Sequence, residues 1–181
     1  MLQIRIHGRG GQGGKAAAEI FAAVAIESGK YAKSFPEFGP ERTGAPVQYY
    51  LKVSKEEIKT NQPILEPDIV VVLDESLIGL VNFTEGLKKE GYLIINTEKE
   101  TFGQEFENFQ VFKIDATKIS FDLFQKNLPN VPILGALAKI SKAVDLEKLK
   151  EGVSKKFSFL PEEMLEKNKK ALEQGYSLVK K

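Results

Sequence analysis

The fold is decided by one glycine-rich stretch, His7-Gly8-Arg9-Gly10-Gly11-Gln12-Gly13-Gly14-Lys15. Five of these nine residues are glycine, so the main chain can turn tightly and adopt positive φ. Alternating apolar residues over 2–7 precede the stretch, and apolar residues at helical spacing follow it over 13–28. The pattern predicts a strand, a tight turn and a helix, which together begin a βαβ unit.

Predicted strands and helices alternate along the rest of the chain. Further strands are predicted over 31–38, 47–53 with one wetter face, 68–74 buried on both faces, 92–95 and 109–114. Helices are predicted over 75–89 with a break near Gly79, and over 115–127, 133–143, 145–156 and 161–179. We therefore expect a single α/β domain, 1–181, that is three-layered and Rossmann-like. Its sheet is expected to be mainly parallel or mixed, and its C-terminal part helical.

The composition excludes several classes of function. The 26 lysines and arginines balance 25 aspartates and glutamates, which predicts no bulk attraction to nucleic acid or membrane. No apolar run approaches the ~20 residues of a membrane span, and no signal-peptide layout is present, so we expect a cytoplasmic protein. With no cysteine and one histidine, this chain alone cannot ligate an iron–sulfur cluster and is a poor candidate for zinc.

The glycine stretch has three interpretations. Its Gly8-x-Gly10-x-x-Gly13 spacing matches a dinucleotide fingerprint, with Glu37 roughly where the ribose-binding acid is expected. However, Arg9 and Gln12 would crowd a pyrophosphate. The residues leave open a dinucleotide, another anionic ligand or partner, and a purely structural turn. A nucleotide-triphosphate loop fits worse, since its first glycine position falls on Arg9.

Other residues are less specific. His7 lacks the partners of a catalytic base, and a lone histidine at a strand end is typical of a structural residue. Glu41 and Arg42, in the loop 37–46, form either a loop salt bridge or a charged pair facing a ligand or subunit. Gly135 inside a predicted helix indicates a tight helix contact, within this chain or with another. The residues describe a binding or assembly domain with the loops 8–15 and 37–46 as its active edge.

Two long motifs stand near the start of the chain. The first is Ile4-Arg5-Ile6-His7-Gly8-Arg9-Gly10-Gly11-Gln12-Gly13, and the second is Phe35-Pro36-Glu37-Phe38-Gly39-Pro40-Glu41-Arg42-Thr43-Gly44-Ala45-Pro46-Val47. Both resemble motifs of the gamma subunit of 2-oxoacid:ferredoxin oxidoreductases. The resemblance continues at 68–75, 129–137 and 168–176 and so covers nearly the whole chain. The last two segments are most similar to the pyruvate branch, called pyruvate synthase.

The resemblance implies a cytoplasmic hetero-oligomer that decarboxylates a 2-oxoacid, delivers the acyl group to coenzyme A and reduces an external ferredoxin. Thiamine diphosphate, Mg²⁺ and 4Fe-4S clusters belong to its partners, the thiamine-binding catalytic subunits and a ferredoxin-like subunit. This chain would hold no cofactor, be inactive alone, and serve assembly and coenzyme A access.

The resemblance also suggests which residues face coenzyme A or the partner subunits, while implying no catalytic residue and no metal site. They are Arg9, Gly10, Gly11, Gln12, Gly13, Lys15, Glu41, Arg42 and Thr43. Two alternatives to a pyruvate enzyme remain at this point. One is a family member specific for 2-oxoglutarate or 2-oxoisovalerate, and the other is a free-standing dinucleotide-binding α/β protein.

Overall fold

A computed structural model describes residues 1–37, 43–102 and 106–181. Within these ranges the strands are β1 (Leu2–Arg9), β2 (Tyr31–Pro36), β3 (Pro46–Ser54), β4 (Ile69–Val72), β5 (Tyr92–Asn96) and β6 (Gln110–Ile114). The helices are α1 (Gly14–Glu27), α2 (Ala116–Phe124), α3 (Asn130–Ser141), α4 (Leu146–Lys156) and α5 (Glu162–Leu178). None of these helices is long and apolar enough to cross a membrane.

The strands form one mixed sheet in the order β2-β3-β1-β4-β5-β6. Strands β1, β4, β5 and β6 run parallel, whereas β3 is antiparallel to both β1 and β2. The predicted mixed α/β fold is confirmed. The βαβ unit that begins the chain is split, because β3 lies between β1 and β2. The segment after β2 is therefore one strand further from the glycine turn than in a dinucleotide-binding fold.

The two faces of the sheet are covered differently. Apolar residues of β1, β3, β4, β5 and β6 pack in one core with residues of all five helices. The opposite face packs a smaller core, made by β4 and β5, against the irregular chain around Leu77, Phe83 and Phe106. The three layers are thus helices, sheet and irregular segments. Helical packing on one face positions the start of α1 at the carboxyl end of the central strand β1.

The prediction of a helix over 75–89 is wrong. The structure has a short 3₁₀ turn, Glu75–Leu77, followed by a series of turns. Gly79 and Gly86 both adopt positive φ there (80° and 68°), which interrupts a right-handed helix. The carbonyls of Phe83 and Glu85 accept hydrogen bonds from Arg5 Nη2, at 2.8 and 2.5 Å. The segment therefore serves as a cover for the buried Arg5 guanidinium.

The face of β3 that was predicted to be more exposed to solvent carries polar residues, but two of them are buried. Tyr50 and Lys52, which alternate with its apolar residues, are both buried. Lys52 Nζ donates to the carbonyl of Gln62 at 2.7 Å and lies 5.5 Å from the centre of the Phe35 ring. The connector between β3 and β4 supplies that carbonyl, so one of the three donors of this ammonium is paired within the chain.

The tight helix contact indicated by Gly135 lies within this chain. Helix α3 crosses α5 so closely that a Cβ at Gly135 would meet the carbonyl oxygen of Leu172. In return, a Cβ at Gly175 would meet the carbonyl oxygen of Pro132. The two glycines let the main chains of α3 and α5 touch, which fixes the position of the α3 N-terminus.

We expect Gly135→Ala and Gly175→Ala each to lower the free energy of unfolding by about 2–3 kcal/mol. The added methyl must displace main chain, and overpacking costs more than the helix propensity gained from alanine. Urea denaturation followed by circular dichroism measures the change.

Gly152→Ala is the comparison variant, because its Cβ would meet a methyl of Val24 rather than main chain. A side chain can rotate away, so we expect a smaller loss than at Gly135. Equal losses at all three glycines would contradict the close helix crossing.

Candidate functional site

The two signature loops meet in the structure through main-chain hydrogen bonds. Gly10 N–H donates to the carbonyl of Ala45 at 2.9 Å, and Gly44 N–H donates to the carbonyl of Gly10 at 3.0 Å. Gly10 and Thr43 form an isolated parallel bridge. We call residues 8–15 together with 43–47 the two-loop edge. Of the predicted site residues, Glu41 and Arg42 lie outside the described residues.

Glycine at position 13 is required by conformation and by packing. Gly13 has a φ of 78° and precedes the first residue of α1. A Cβ there would lie 2.6 Å from Nδ2 of Asn130, the first residue of α3. Asn130 is 6% exposed. The N-terminus of α3 therefore abuts the N-terminus of α1 at the two-loop edge.

The start of α1 presents main-chain donors that are unpaired within the part of the chain that the structure describes. The N–H groups of Gly14, Lys15 and Ala16 precede the first intrahelical bond, which Ala17 N–H makes to the carbonyl of Gly13. No described residue accepts a hydrogen bond from these three groups, nor from the N–H groups of Gly11 and Gly13. Lys15 is exposed at the same end of the helix. The arrangement favours an anion.

Arg9 is anchored inside the chain. Its Nε and Nη2 donate to Ser76 Oγ, at 2.9 and 2.8 Å, and its Nη1 donates to the carbonyl of Gly44 at 3.0 Å. Its Nε also lies 3.5 Å from Asp74 Oδ2, and 26% of the side chain is exposed. Arg9 therefore links the glycine loop to the second loop and to the turn after β4.

Gln12 fixes the glycine loop from within. Its Oε1 accepts a hydrogen bond from the Arg9 main-chain N–H at 2.8 Å, and its Nε2 donates to Asp74 Oδ2 at 2.6 Å. Both ends of the amide are thus used inside the chain, so Gln12 shapes the loop.

Asp74 joins these groups and was missed as a site residue. Burial alone would raise the pKa of Asp74, but hydrogen bonds from Ser76 and Gln12 and the charge of Arg9 hold that pKa below its ordinary value. The signal for Asp74 was its position directly after the buried strand β4. Side chains at the carboxyl ends of parallel strands face the ligand crevice of an open α/β sheet.

A cavity of about 420 Å³ continues from the two-loop edge along the carboxyl ends of β4 and β5. Five charged side chains line it, which are Asp74, Glu75, Glu98, Asp115 and Lys118. This excess of carboxylates disfavours a phosphate inside the cavity. Among the described residues no group of three or more His, Cys, Asp or Glu could hold a metal ion.

His7 is a buried structural residue. It is 3% exposed, its ring centre lies 6.1 Å from that of Phe83, and its Nε2 has no hydrogen-bond partner among the described residues. Burial, helped by the nearby charge of Arg5, lowers the pKa of His7 to about 3. The imidazole is therefore neutral at physiological pH and screened from solvent, which agrees with the structural interpretation rather than with a catalytic base.

Glu37 does not take the place of the ribose-binding acid in a dinucleotide fold. It follows the edge strand β2, which β3 separates from β1. Its Oε1 accepts a hydrogen bond from the hydroxyl of Tyr50 at 3.2 Å. The glycine spacing thus occurs in a sheet whose second strand is not adjacent to the first, and the dinucleotide geometry is not formed.

Comparison with known proteins gives the same family from sequence and structure. The chain matches the family described as pyruvate ferredoxin/flavodoxin oxidoreductase over residues 3–178. Pyruvate synthase subunit PorC of Thermotoga maritima is 40% identical, with 99% of this chain and 95% of the relative covered. The pyruvate/ketoisovalerate oxidoreductases common subunit gamma of Pyrococcus furiosus is 41% identical, with 97% and 96% covered.

Two solved structures share the fold. The crystal structure of pyruvate oxidoreductase subunit PORC from Thermotoga maritima superposes with a TM-score of 0.86 at 38% identity, covering 99% of this chain and 97% of that one. The 2-oxoglutarate:ferredoxin oxidoreductase of Magnetococcus marinus, solved with 2-oxoglutarate, coenzyme A and succinyl-CoA bound, superposes with a TM-score of 0.83 at 22% identity. It covers 98% of this chain but 30% of that chain, so it shows the fold alone.

The sheet, the two-loop edge and the matched signatures define a gamma-type subunit of a 2-oxoacid:ferredoxin oxidoreductase. The chain belongs to the pyruvate ferredoxin/flavodoxin oxidoreductase family. The function predicted from the sequence is confirmed: the chain is the gamma subunit of such an oxidoreductase, and the pyruvate type is the best supported.

The burial of His7 predicts a pH dependence of stability. The pKa is about 3 in the folded chain and about 6.5 when unfolded, so below pH 6.5 the unfolded chain binds a proton that the folded chain does not. Stability is lost as the pH falls, by about 2 kcal/mol from this group between pH 7.5 and pH 5. Urea denaturation of the wild type and of His7→Gln at both pH values measures the difference.

His7→Gln removes this chain's one histidine, so carboxylate titration is common to both proteins. The wild type should therefore lose more stability than the variant on acidification. Parallel loss in the two proteins would show that His7 is accessible to protons in the folded state.

Proposed function

We propose that the two-loop edge receives coenzyme A in the assembled enzyme and that the subunit also helps to hold the complex together. The family supports this proposal, because its enzymes act on 2-oxoacids and one structural neighbour is described with coenzyme A and succinyl-CoA bound. In that neighbour a domain of this fold is part of a longer chain. A gamma subunit would supply the equivalent domain as a separate chain.

One observation carries the proposal: N–H groups at the start of α1, whose hydrogen bonds no described residue accepts, lie beside the exposed Lys15. Coenzyme A is an anion with several phosphate groups, and a helix N-terminus with a lysine attracts phosphate. Gly11 and Gly13 N–H groups are also unpaired among the described residues, whereas Gly10 N–H is used by Ala45. Phosphate binding is thereby assigned to residues 11–16.

The acidic cavity supports the same placement. Its carboxylates, among them Glu75 and Glu98, repel phosphate from the carboxyl ends of β4 and β5. The anionic end of coenzyme A would therefore stay on the α1 side of the two-loop edge. Arg9 acts there mainly through the main chain that it holds, since most of its hydrogen bonds are internal.

The remaining chemistry is assigned to other subunits. We propose partners that bind thiamine diphosphate with Mg²⁺ and a ferredoxin-like partner that carries 4Fe-4S clusters, with an external ferredoxin as electron acceptor, in the cytoplasm. The composition supports this division, because a chain without cysteine supplies no ordinary cluster ligand. When bound, thiamine diphosphate supplies the decarboxylation chemistry, and this chain's residues bind and orient coenzyme A.

The test is Lys15→Ala in the assembled enzyme, alone and combined with Arg42→Ala. We expect KM for coenzyme A to rise about tenfold for Lys15→Ala, equivalent to about 1.4 kcal/mol, and further for the double variant. At saturating coenzyme A, kcat should stay within about twofold, because the interaction is made in the ground state as well as in the transition state.

Lys170→Ala is the matched control, since Lys170 is an exposed lysine on α5, a helix that does not reach the two-loop edge. Its KM should equal that of the wild type. An unchanged KM for coenzyme A in Lys15→Ala and in the double variant would refute phosphate binding here and leave the subunit with an architectural role.

A further inference from the structure

We propose that Asp74 is a positioning residue, whose carboxylate clamps the glycine loop to the segment 43–45 and so sets the geometry of the two-loop edge. The inference deepens the proposed function and depends on it only for what the edge binds. The clamp itself involves only residues of this chain and is tested separately from coenzyme A binding.

The two carboxylate oxygens of Asp74 accept hydrogen bonds from different segments. Oδ1 accepts a hydrogen bond from Ser76 N–H at 2.9 Å and caps the 3₁₀ turn after β4. Oδ2 accepts from Gln12 Nε2 at 2.6 Å and lies 3.5 Å from Arg9 Nε. One oxygen therefore closes a local turn, and the other reaches across to the glycine loop.

Arg9 carries the effect to the second loop. Its guanidinium contacts Ser76 Oγ and the carbonyl of Gly44 at once, so it lies between the turn after β4 and the segment 43–45. Two main-chain hydrogen bonds at Gly10 extend the β1–β3 ladder, in which Gly8 pairs with Val47 and Arg9 with Pro46, to the segment 43–45. Because Gly10 and Gly44 lie beyond the ladder and have little intrinsic preference for this conformation, we expect the side-chain network to determine how long those two bonds persist.

The charge of Asp74 holds this network together. Without it, Gln12 Nε2 loses its acceptor and Arg9 loses its counter-ion, while both side chains can exchange their partners for water. An asparagine at 74 still caps the turn through Oδ1, but it can present an N–H donor to the N–H donor of Gln12. Asp74→Asn therefore breaks the clamp and retains the cap.

The experiment uses the assembled enzyme with Asp74→Asn. Amide hydrogen exchange read by mass spectrometry should become about tenfold faster in peptides covering 8–15 and 43–47. The KM for coenzyme A should rise at least about fivefold, and kcat at saturating coenzyme A should stay within about twofold. A general loss of stability would change exchange throughout the chain and would not separate KM from kcat.

The double variant Gln12→Glu/Asp74→Asn tests the clamp by restoring it. A glutamate at 12 can still accept from Arg9 N–H and can accept from the new amide at 74, and the negative charge stays beside Arg9. We expect exchange and KM to return to within about twofold of the wild type. If Asp74→Asn alone fails to assemble, the double variant decides: restored assembly supports the clamp, and continued failure overturns it.

Asp68→Asn is the matched control, because Asp68 flanks the opposite end of β4. It accepts from Gln3 N–H at 2.7 Å and pairs with Lys88 at 2.6 Å, so the same charge and similar bonds are lost there. Exchange in the 8–15 and 43–47 peptides should not change. Unchanged exchange in Asp74→Asn overturns the clamp, whereas faster exchange with an unchanged KM keeps the clamp and refutes coenzyme A binding at the edge.

Discussion

The pairing of Gly10 with the segment 43–45 is the constraint on which the site depends. It joins the end of β1 to the loop that returns into β3, so two distant parts of the sequence form one edge. The antiparallel direction of β3 makes this possible, since β3 begins where β1 ends. Parallel neighbours would place those ends at opposite edges of the sheet.

The helices then determine what faces the edge. The close crossing of α3 and α5 fixes the start of α3 against Gly13, and this contact holds the start of α1. N–H groups that no described residue accepts a hydrogen bond from therefore lie with Lys15 beside the side chains of Arg9 and Gln12, which bond within the chain. In its described part the site thus offers main-chain donors and one exposed lysine, Lys15, as the proposed binding of coenzyme A requires.

Much of the fold could be predicted from the sequence, because strong periodicity and short connections leave few choices. The predicted bounds of the strands, and of the helix after the glycine turn, lie within two residues of the observed bounds. The prediction of a helix over 75–89 was wrong. The local pattern did not show that the carbonyls of Phe83 and Glu85 accept hydrogen bonds from Arg5. The position of β3 between β1 and β2 also depends on pairing that local patterns do not contain.

The two motifs predicted an edge that faces coenzyme A or the partner subunits, and that role stays a prediction. The contacts that Arg9 and Gln12 make with Asp74 and its turn could not be predicted, because they join segments that are distant in the sequence. The most direct test is amide hydrogen exchange of the assembled enzyme with and without coenzyme A. We expect coenzyme A to protect peptides covering 8–16 and 43–47. Protection elsewhere in this subunit, or no protection, would refute coenzyme A binding at the two-loop edge.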